Sequence, residues 1–243
     1  MEQFFTNSEA VRQIVKGFNL TKTLFVSSIL VGEKHTGKKR LISSLFPEAP
    51  WVDGRDMSAL QEALRVHDEL VITHFEQISN HDTLDFQNKR IIAIADYIDN
   101  VRNVDDLFAF IYMMPPLRER PEDVDYLTKR FAAEAKEILM IDEDLTLDHS
   151  RLDLSQNSKT LKKSIFHQVM HQNADAATIE ETLYHYFLKS LQGNNGYKEH
   201  IHLFEKPLIE AGLKKFGSQL QLSQVLGINR NTLRKKIHEH AID

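Results

Sequence analysis

The sequence predicts an α/β domain with a parallel sheet, followed by an all-helical domain that ends in a helix-turn-helix. Three observations predict this fold class. Short apolar runs alternate with helical segments in the first part of the chain, a glycine-bearing loop follows the first run, and a basic helix preceded by a glycine closes the chain. Strands that alternate with helices favour a parallel sheet.

The predicted strands are apolar and rich in β-branched residues, as buried strands are. They are Leu24–Val31, Glu69–Phe75 and Arg90–Ala95. Helices are predicted between them at Lys39–Leu45 and Ser58–Val66. Because each helix leads to another strand, the strands are expected to lie in one parallel sheet.

The loop after the first strand has the spacing G-x-x-x-x-G-K over Gly32–Lys38. Backbone N–H groups in such a loop cradle phosphates, and the lysine reaches the terminal phosphate. Gly32, Gly37 and Lys38 are therefore candidate residues for binding ATP or ADP. The hydroxyl that normally follows the lysine and binds Mg²⁺ is replaced by Lys39. The alternative is a loop that keeps its shape without binding nucleotide, so no obligatory cofactor is expected.

The alternating pattern ends at Pro115-Pro116, and Pro121 opens a helix. Apolar side chains lie at helical spacing along one side of that helix, at Val124, Leu127, Phe131 and Ile138. The remaining chain is predicted to be helical, with a polar, glycine-bearing break at 193–196. The expected domains are an α/β domain at 1–120, a helical subdomain at 121–192 and a helix-turn-helix domain at 193–243.

The charge of the chain is unevenly distributed. The net charge is −5, but residues 197–243 hold eight Lys/Arg and five Asp/Glu and so carry +3, which leaves −8 on residues 1–196. A basic C-terminal module on an acidic body predicts that polyanion binding is confined to the end of the chain. The absence of cysteine excludes disulfides and thiolate chemistry and fits a reducing cytoplasm.

The last helix has the features of a recognition helix. Asn229 is a suitable N-cap, Gly227 can adopt a left-handed turn, and Leu233 and Ile237 are spaced to pack on preceding helices. The opposite side carries polar and basic residues, with Asn231, Arg234 and Lys235 outermost and Arg230, Thr232 and Lys236 flanking them. Such a helix can enter the major groove of double-stranded DNA. The alternative is an amphipathic helix with a solvated basic face.

Two earlier helices are expected to support it. Gln219–Leu226 is the predicted first helix of the motif, with Leu222, Val225 and Leu226 facing inward. Tyr197–Phe216 is predicted to be one helix that is kinked at Pro207.

Four segments resemble the NtrC-type (sigma-54-dependent) AAA+ activators. Val31–Lys38 looks like their phosphate loop, Gly-Glu-x-Gly-Thr-Gly-Lys-Glu, and Pro115–Val124 is close to their Pro-Pro-Leu-Arg-Glu-Arg-x-Glu-Asp-Ile. Gln156–Leu161 is similar to their lid motif, Gly-Asn-Val-Arg-Glu-Leu. Residues 205–208 and 227–236 resemble the Fis-type helix-turn-helix that ends these activators.

The resemblance implies a P-loop, AAA+-like domain with a helical lid, followed by a Fis-type domain that binds DNA as a homodimer. The positions that match the Fis-type DNA contacts, taken with Asn231 beside them, are Asn229, Arg230, Asn231, Thr232, Arg234, Lys235 and Lys236. Arg230 is the best candidate for a base contact, because arginine pairs bidentately with guanine. A two-fold dimer would favour a palindromic site.

Departures from the family pattern predict that the ATPase machinery is lost. The interval after the phosphate loop is too short for the family's Gly-Ala-Phe-Thr-Gly-Ala loop, which grips the sigma factor. The acidic pair that positions Mg²⁺ and water corresponds here to His74-Phe75-Glu76, and the family's sensor asparagine falls near Asp96. Its arginine finger falls at Val104, and its lid arginine at Lys159. Since each such group is worth orders of magnitude in rate, no catalytic residue is assigned.

The leading hypothesis is therefore a sequence-specific DNA-binding transcriptional regulator with a degenerate AAA+-like domain, without ATPase or sigma-54 activation activity. The alternative is a nucleotide-binding or ATP-hydrolysing AAA+ protein that remodels a partner. A third option is a nucleotide sensor that does not hydrolyse.

Metal and membrane sites are not expected. His167 and His171 lie four residues apart on a predicted helix, but no third ligand is evident beside them. The sequence has no run of about 18 apolar residues, the length of a membrane span, and its start lacks the basic residues of a secretory signal. A cytoplasmic location is expected.

Overall fold

The chain forms two compact units, Met1–Ala174 and Asp175–Asp243. In this computed structural model the described residues are 4–79, 84–98, 104–141 and 145–242. We refer to the two parts as the N-terminal and C-terminal units. None of the helices in the described ranges is both long and apolar enough to span a bilayer.

The N-terminal unit combines a parallel sheet with helices. Its described strands are β1 (Ser28–Val31), β2 (Trp51–Asp53), β3 (Glu69–Thr73), β4 (Arg90–Ala95) and β5 (Phe110–Met113). Its described α-helices are α1 (Glu9–Leu24), α2 (Lys38–Leu45), α3 (Met57–Val66), α4 (Pro121–Leu139) and α5 (Ser158–Gln172). The strand order is β2-β3-β4-β1-β5, and all four pairings are parallel. The predicted parallel α/β class is confirmed.

The central strands are buried because both faces of the sheet are covered. Ile29 and Ile72 join one apolar cluster with Leu60 of α3. Leu30 joins the opposite cluster with Phe18 of α1. Neighbouring side chains of one strand therefore enter different cores, which is why the strands are continuous apolar runs rather than alternating ones.

The first strand is shorter than predicted. Residue Leu24 ends α1, and β1 begins only at Ser28. The helix α1 was not predicted, although Val11, Ile14 and Phe18 are buried at helical spacing on one of its sides. Its last residue, Leu24, is also the first residue of the apolar run that predicts the strand, so the sequence does not separate the two elements.

A helical lid follows the sheet. Pro121 occupies the first turn of α4, where its missing N–H is tolerated. The lid core contains Leu117, Phe131, Ala135, Leu161, Ile165 and Val169. Val124 and Leu127 pack against this core as predicted. The prediction for Ile138 is wrong, because it is 58% exposed in the last turn of α4 while Ala135 and Leu139 face the core.

The C-terminal unit is entirely helical in its described part. Its helices are α6 (Ala176–Ser190), α7 (Gly196–His200), α8 (His202–Phe216), α9 (Gln219–Val225) and α10 (Arg230–Glu239). The predicted single helix from Tyr197 to Phe216 is instead divided at Ile201, and Pro207 lies inside α8.

The unit boundary lies before α6 rather than at the predicted linker. Residues 191–195 do separate α6 from α7. The Phe187 ring nevertheless stacks on His200 with 5.4 Å between centroids, and Ser190 Oγ lies 3.4 Å from His200 Nε2. These contacts join α6 to α7, so the polar stretch is a loop inside the unit.

Candidate functional sites

The phosphate-type loop connects β1 to α2, as the sequence predicted. Both glycines are required by its geometry. A Cβ added to Gly32 would lie 2.5 Å from the carbonyl oxygen of Met114. Gly37 has φ +97°, a left-handed conformation that an L side chain rarely adopts. The loop shape therefore depends on glycine at both positions.

Asn157 ties this loop to the lid. Its side-chain Nδ2 donates to the carbonyl oxygen of Lys34 at 2.9 Å and to Glu33 Oε2 at 3.1 Å, while its Oδ1 accepts from the Leu117 N–H at 2.7 Å. Asn157 is buried and has φ +54°. The neighbouring Ser158 Oγ donates to the His35 carbonyl at 2.7 Å. The lid motif found by resemblance thus binds the loop directly.

Glu33 is held by two partners at the surface. Arg118 donates two hydrogen bonds to its carboxylate, at 2.6 and 3.0 Å, and Asn157 donates a third. The hydrogen bond from Arg118, followed by that from Asn157, lowers the pKa of Glu33 to about 2. The carboxylate is therefore ionised throughout the ordinary pH range.

Arg120 is a buried link that the sequence analysis missed. Its guanidinium donates to the carbonyl oxygen of Thr36 at 2.9 Å and to Asp123 Oδ2 at 3.4 Å. Burial lowers the pKa of Arg120, and the charge of Asp123 opposes that shift. Asp123 also accepts hydrogen bonds from Thr6 Oγ1 and from the Asn7 N–H. The N-terminal segment, the lid and the loop are thereby joined.

Lys38 points into the protein, and its ammonium group is already bound. The residue is 6% exposed. Its Nζ donates to the carbonyl oxygens of Gly32 and Glu33, the latter at 2.8 Å, and to Asp96 Oδ1 at 3.0 Å. Burial lowers the pKa of Lys38, while the hydrogen bond and charge of Asp96 raise it. All three ammonium hydrogens therefore have protein acceptors.

The space beside Lys38 is lined by groups of both signs. A cavity of about 530 Å³ is bordered by loop and α2 residues, by His74 and Glu76 after β3, and by Asp96 after β4. The Asp96 N–H donates to Glu76 Oε2 at 3.1 Å. His74 Nδ1 lies 3.0 Å from Asp53 Oδ1. The ends of β3 and β4 thus bring His74, Glu76 and Asp96 to one edge of the sheet. These are positions where the sequence departs from the NtrC-type pattern.

Charged groups of both signs surround the Lys38 ammonium group. The lysine that would contact the terminal phosphate is bound by three protein oxygens. Two carboxylates, Glu76 and Asp96, line the cavity together with the cationic residues Lys34, Lys38, Lys39 and Arg40.

The last helix, α10, begins where the sequence predicted. Asn229 Oδ1 accepts a hydrogen bond from the Asn231 N–H at 2.8 Å, and Gly227 has φ +65°. Leu233 is fully buried with Ile209 and Leu222. Ile237 packs against the same core. One face of α10 therefore holds the helix in place and leaves the other face exposed.

Six of the seven candidate DNA contacts are exposed. They are Asn229, Arg230, Asn231, Thr232, Arg234 and Lys235. Lys235 Nζ lies 3.6 Å from Glu239, an exposed pair within the helix. Within residues 175–242, no carboxylate forms an ion pair with Arg230 or Arg234.

Lys236 differs from the other six. Its Nζ donates a hydrogen bond to Glu205 Oε1 on α8, and His240 Nε2 lies 3.0 Å from Glu205 Oε2. The hydrogen bond from Lys236, followed by that from His240, lowers the pKa of Glu205. The structure therefore places Lys236 as a residue that attaches α10 to α8. The role of Glu205 is not visible in the sequence, because its two partners lie more than 30 residues away.

Helix α9 packs closely against α8. A Cβ added to Gly212 of α8 would overlap the side chain of Leu222. Leu222 is buried and Leu226 packs at the same core, as predicted. The prediction for Val225 is wrong, because it is 57% exposed. The one-turn spacing that buries Leu222 and Leu226 turns Val225 outward.

The start of the C-terminal unit presents an apolar surface. Helix α6 has no buried residue, although it carries several large apolar side chains. A groove of about 310 Å³ is lined by Leu183, Phe187, Leu191, Tyr197, His200, Ile201 and Phe204, among others. Tyr197 is 79% and Phe204 62% exposed. These apolar residues line one groove, so they form a continuous exposed patch rather than isolated surface residues.

Comparisons with known proteins agree with the C-terminal geometry. Residues 201–240 match the family described as bacterial regulatory protein, Fis family. The chain is 40% identical over 68 residues to proteins described as Fis-like and DNA-binding from two Neisseria meningitidis strains. That match covers 26% of this chain and 85% of each of those proteins.

Two longer proteins are also similar to this chain. It is 30% identical over 163 residues to the DNA-binding transcriptional regulator NtrC of Azospirillum brasilense, a match that covers 52% of this chain and 34% of that protein. The chain thus spans about a third of the length of that relative. The crystal structure of Brucella abortus NtrX in complex with ATP has a TM-score of 0.52 at 13% identity, and covers 100% of this chain and 70% of that one. This likeness concerns the fold.

Proposed function

The chain belongs to the NtrC-type AAA+ regulators that end in a Fis-type domain, and on that premise we propose that it is a transcriptional regulator that binds double-stranded DNA through α10. The observation that carries this proposal is the exposed face of α10. Among residues 175–242, no carboxylate pairs with Arg230 or Arg234 on this face, while Leu233 fixes the opposite face in the core. A cationic helix fixed in this way can enter the major groove.

Individual residues have different expected roles. Arg230 lies in the first turn of α10, the part of a recognition helix that contacts base edges. A bidentate contact from Arg230 to guanine would provide specificity. Asn229, Asn231, Thr232, Arg234 and Lys235 are proposed to contact phosphates and set the register. Lys236 acts indirectly, because it holds α10 against Glu205.

We also propose that the protein binds DNA as a homodimer. The apolar groove of the C-terminal unit, with Tyr197 and Phe204 exposed beside it, is suited to a second copy of the same surface. Two recognition helices would then lie about one helical turn apart on DNA, roughly 34 Å. The favoured site would be palindromic.

The N-terminal unit is proposed to be a scaffold rather than a motor. The loop lysine is bound internally, and the catalytic positions around it hold His74 and Asp96. Phosphoryl transfer depends on metal coordination, water positioning and an arginine finger, which this set of residues does not supply. Its proposed role is to control when the C-terminal unit reaches DNA. Activation of sigma-54 is not part of the proposed function.

Selection from a random duplex library tests this function directly. The full chain should enrich one palindromic sequence whose half-sites are about one helical turn apart. Affinity for that duplex should fall steeply between about 50 and 200 mM salt, because phosphate contacts release counterions. Recovery of no preferred sequence, together with salt-independent binding, would overturn the proposal.

A further inference from the structure

The ion pair between Lys38 and Asp96 places a protein carboxylate where the loop would otherwise contact a phosphate. Lys38 Nζ is 3.0 Å from Asp96 Oδ1. In a phosphate-binding loop, the lysine reaches the terminal phosphates of the nucleotide. Like a phosphate oxygen, a carboxylate oxygen is anionic and accepts hydrogen bonds. It can therefore take the place of a phosphate oxygen at the ammonium group.

Surrounding residues hold Asp96 in this position. Asp96 directly follows β4, whose neighbour β1 leads into the loop, so the two strands bring the carboxylate and the loop together. The Asp96 N–H donates to Glu76 Oε2 at 3.1 Å. Its Oδ2 lies 3.8 Å from Lys34 Nζ. The carboxylate therefore contacts two loop lysines at once.

We propose that Asp96 is a built-in counter-ion that occupies the phosphate position of Lys38 and excludes nucleoside triphosphates from the loop. A triphosphate would have to separate the Lys38–Asp96 pair and place its charge beside Asp96 and Glu76, in a cavity that Lys34, Lys39 and Arg40 also line. The remaining loop is otherwise suitable, since Gly32 and Gly37 keep its shape. This inference rests on the proposal that the N-terminal unit is not a motor, and it names the residue responsible.

The test is a gain of binding. Asp96→Asn keeps an acceptor oxygen near Lys38 but removes the negative charge. Calorimetric titration with ATP, with and without Mg²⁺, should show that Asp96→Asn binds at least about tenfold more tightly than the parent. Adding Lys38→Ala to the variant should abolish the gain. Asp68→Asn is the matched control, because its side chain is 81% exposed and pairs with Lys89 elsewhere.

Two results would overturn the inference. One is a folded Asp96→Asn variant that binds ATP no more tightly than the parent, and the other is a gain in affinity that persists when Lys38→Ala is added. If circular dichroism shows that Asp96→Asn does not fold, Asp96→Ser is used instead, because it removes the same charge with a smaller side chain. The same gain in ATP affinity is expected of it, and the same two results would overturn the inference. The measurement here is ATP affinity, whereas the proposed function is tested by DNA affinity. A failure of the inference about Asp96 can therefore be told apart from a failure of DNA binding.

Discussion

Lys236 of α10 donates a hydrogen bond to Glu205 of α8, so one of the basic residues of the last helix fixes that helix to its own unit. His240, the C-cap residue that follows α10, approaches the other oxygen of the same carboxylate. The basic surface is thus divided between residues that face solvent and a residue that positions them. This division determines what each substitution should do.

Replacing Glu205 should loosen α10. We expect Glu205→Gln to lower the free energy of unfolding of the C-terminal unit by about 1 kcal/mol, since charged hydrogen bonds are lost at a partly exposed site. Thermal unfolding followed by circular dichroism measures this loss. Glu210→Gln is the matched control, because Glu210 lies on the same helix and forms only an exposed pair with Lys206.

The contribution of Glu205 should also depend on pH. Its pKa is lowered in the folded state, so its stabilisation is present above the pKa of an unperturbed glutamate and disappears as pH falls through the lowered value. The parent should therefore lose stability on acidification more steeply than Glu205→Gln. Identical acid profiles for the two proteins would show that the carboxylate is not bound in this way.

The lid attachment should depend on Asn157 more than on Arg118, although both contact Glu33. Asn157→Ala removes three hydrogen bonds at a buried site and leaves backbone groups without partners. We expect a loss of about 2–4 kcal/mol in the N-terminal unit. Arg118→Ala removes an exposed ion pair and should cost less than Asn157→Ala. Denaturant unfolding compares the two, and equal losses would contradict this account of the lid.

Much of the fold is visible in the sequence, because burial and glycine geometry leave local signals. The strand Arg90–Ala95 is found at its predicted bounds, and the loop glycines stand where the backbone requires them. The three-residue strand β2 was missed because it is too short to show a pattern. Edge strand β5 was not predicted either, although all four of its residues, Phe110–Met113, are apolar.

The site was less predictable, because it is made by contacts between distant residues. The sequence identified Lys38 and Asp96 separately, but only the pairing of β1 with β4 brings them within 3.0 Å. Lys236 and Arg234 are both basic residues of the last helix and were both predicted to contact DNA. Only the tertiary structure shows that Lys236 is bound to Glu205 on α8. Single-residue chemistry can be inferred from the sequence, whereas pairing requires the tertiary structure.

Phosphate release should be absent in the presence of ATP and Mg²⁺. The parent and Lys38→Ala should give the same background rate, because the lysine is already bound and the metal- and water-positioning residues are replaced. A coupled phosphate assay measures both proteins. Turnover in the parent that disappears in Lys38→Ala would favour the alternative function, a nucleotide-driven enzyme that remodels a partner.

The central claim is that α10 binds DNA through its exposed arginines. The measurement that tests it most directly is the affinity of the parent and of the Arg230→Ala/Arg234→Ala variant for the selected duplex, by fluorescence anisotropy at physiological salt. Arg12→Ala/Arg65→Ala removes the same charge from the exposed surface of the N-terminal unit and serves as the control. We expect the α10 variant to keep its fold and to bind DNA at least about thirtyfold more weakly than the parent, while the control binds with the affinity of the parent. Parent-like affinity of the α10 variant would contradict the account.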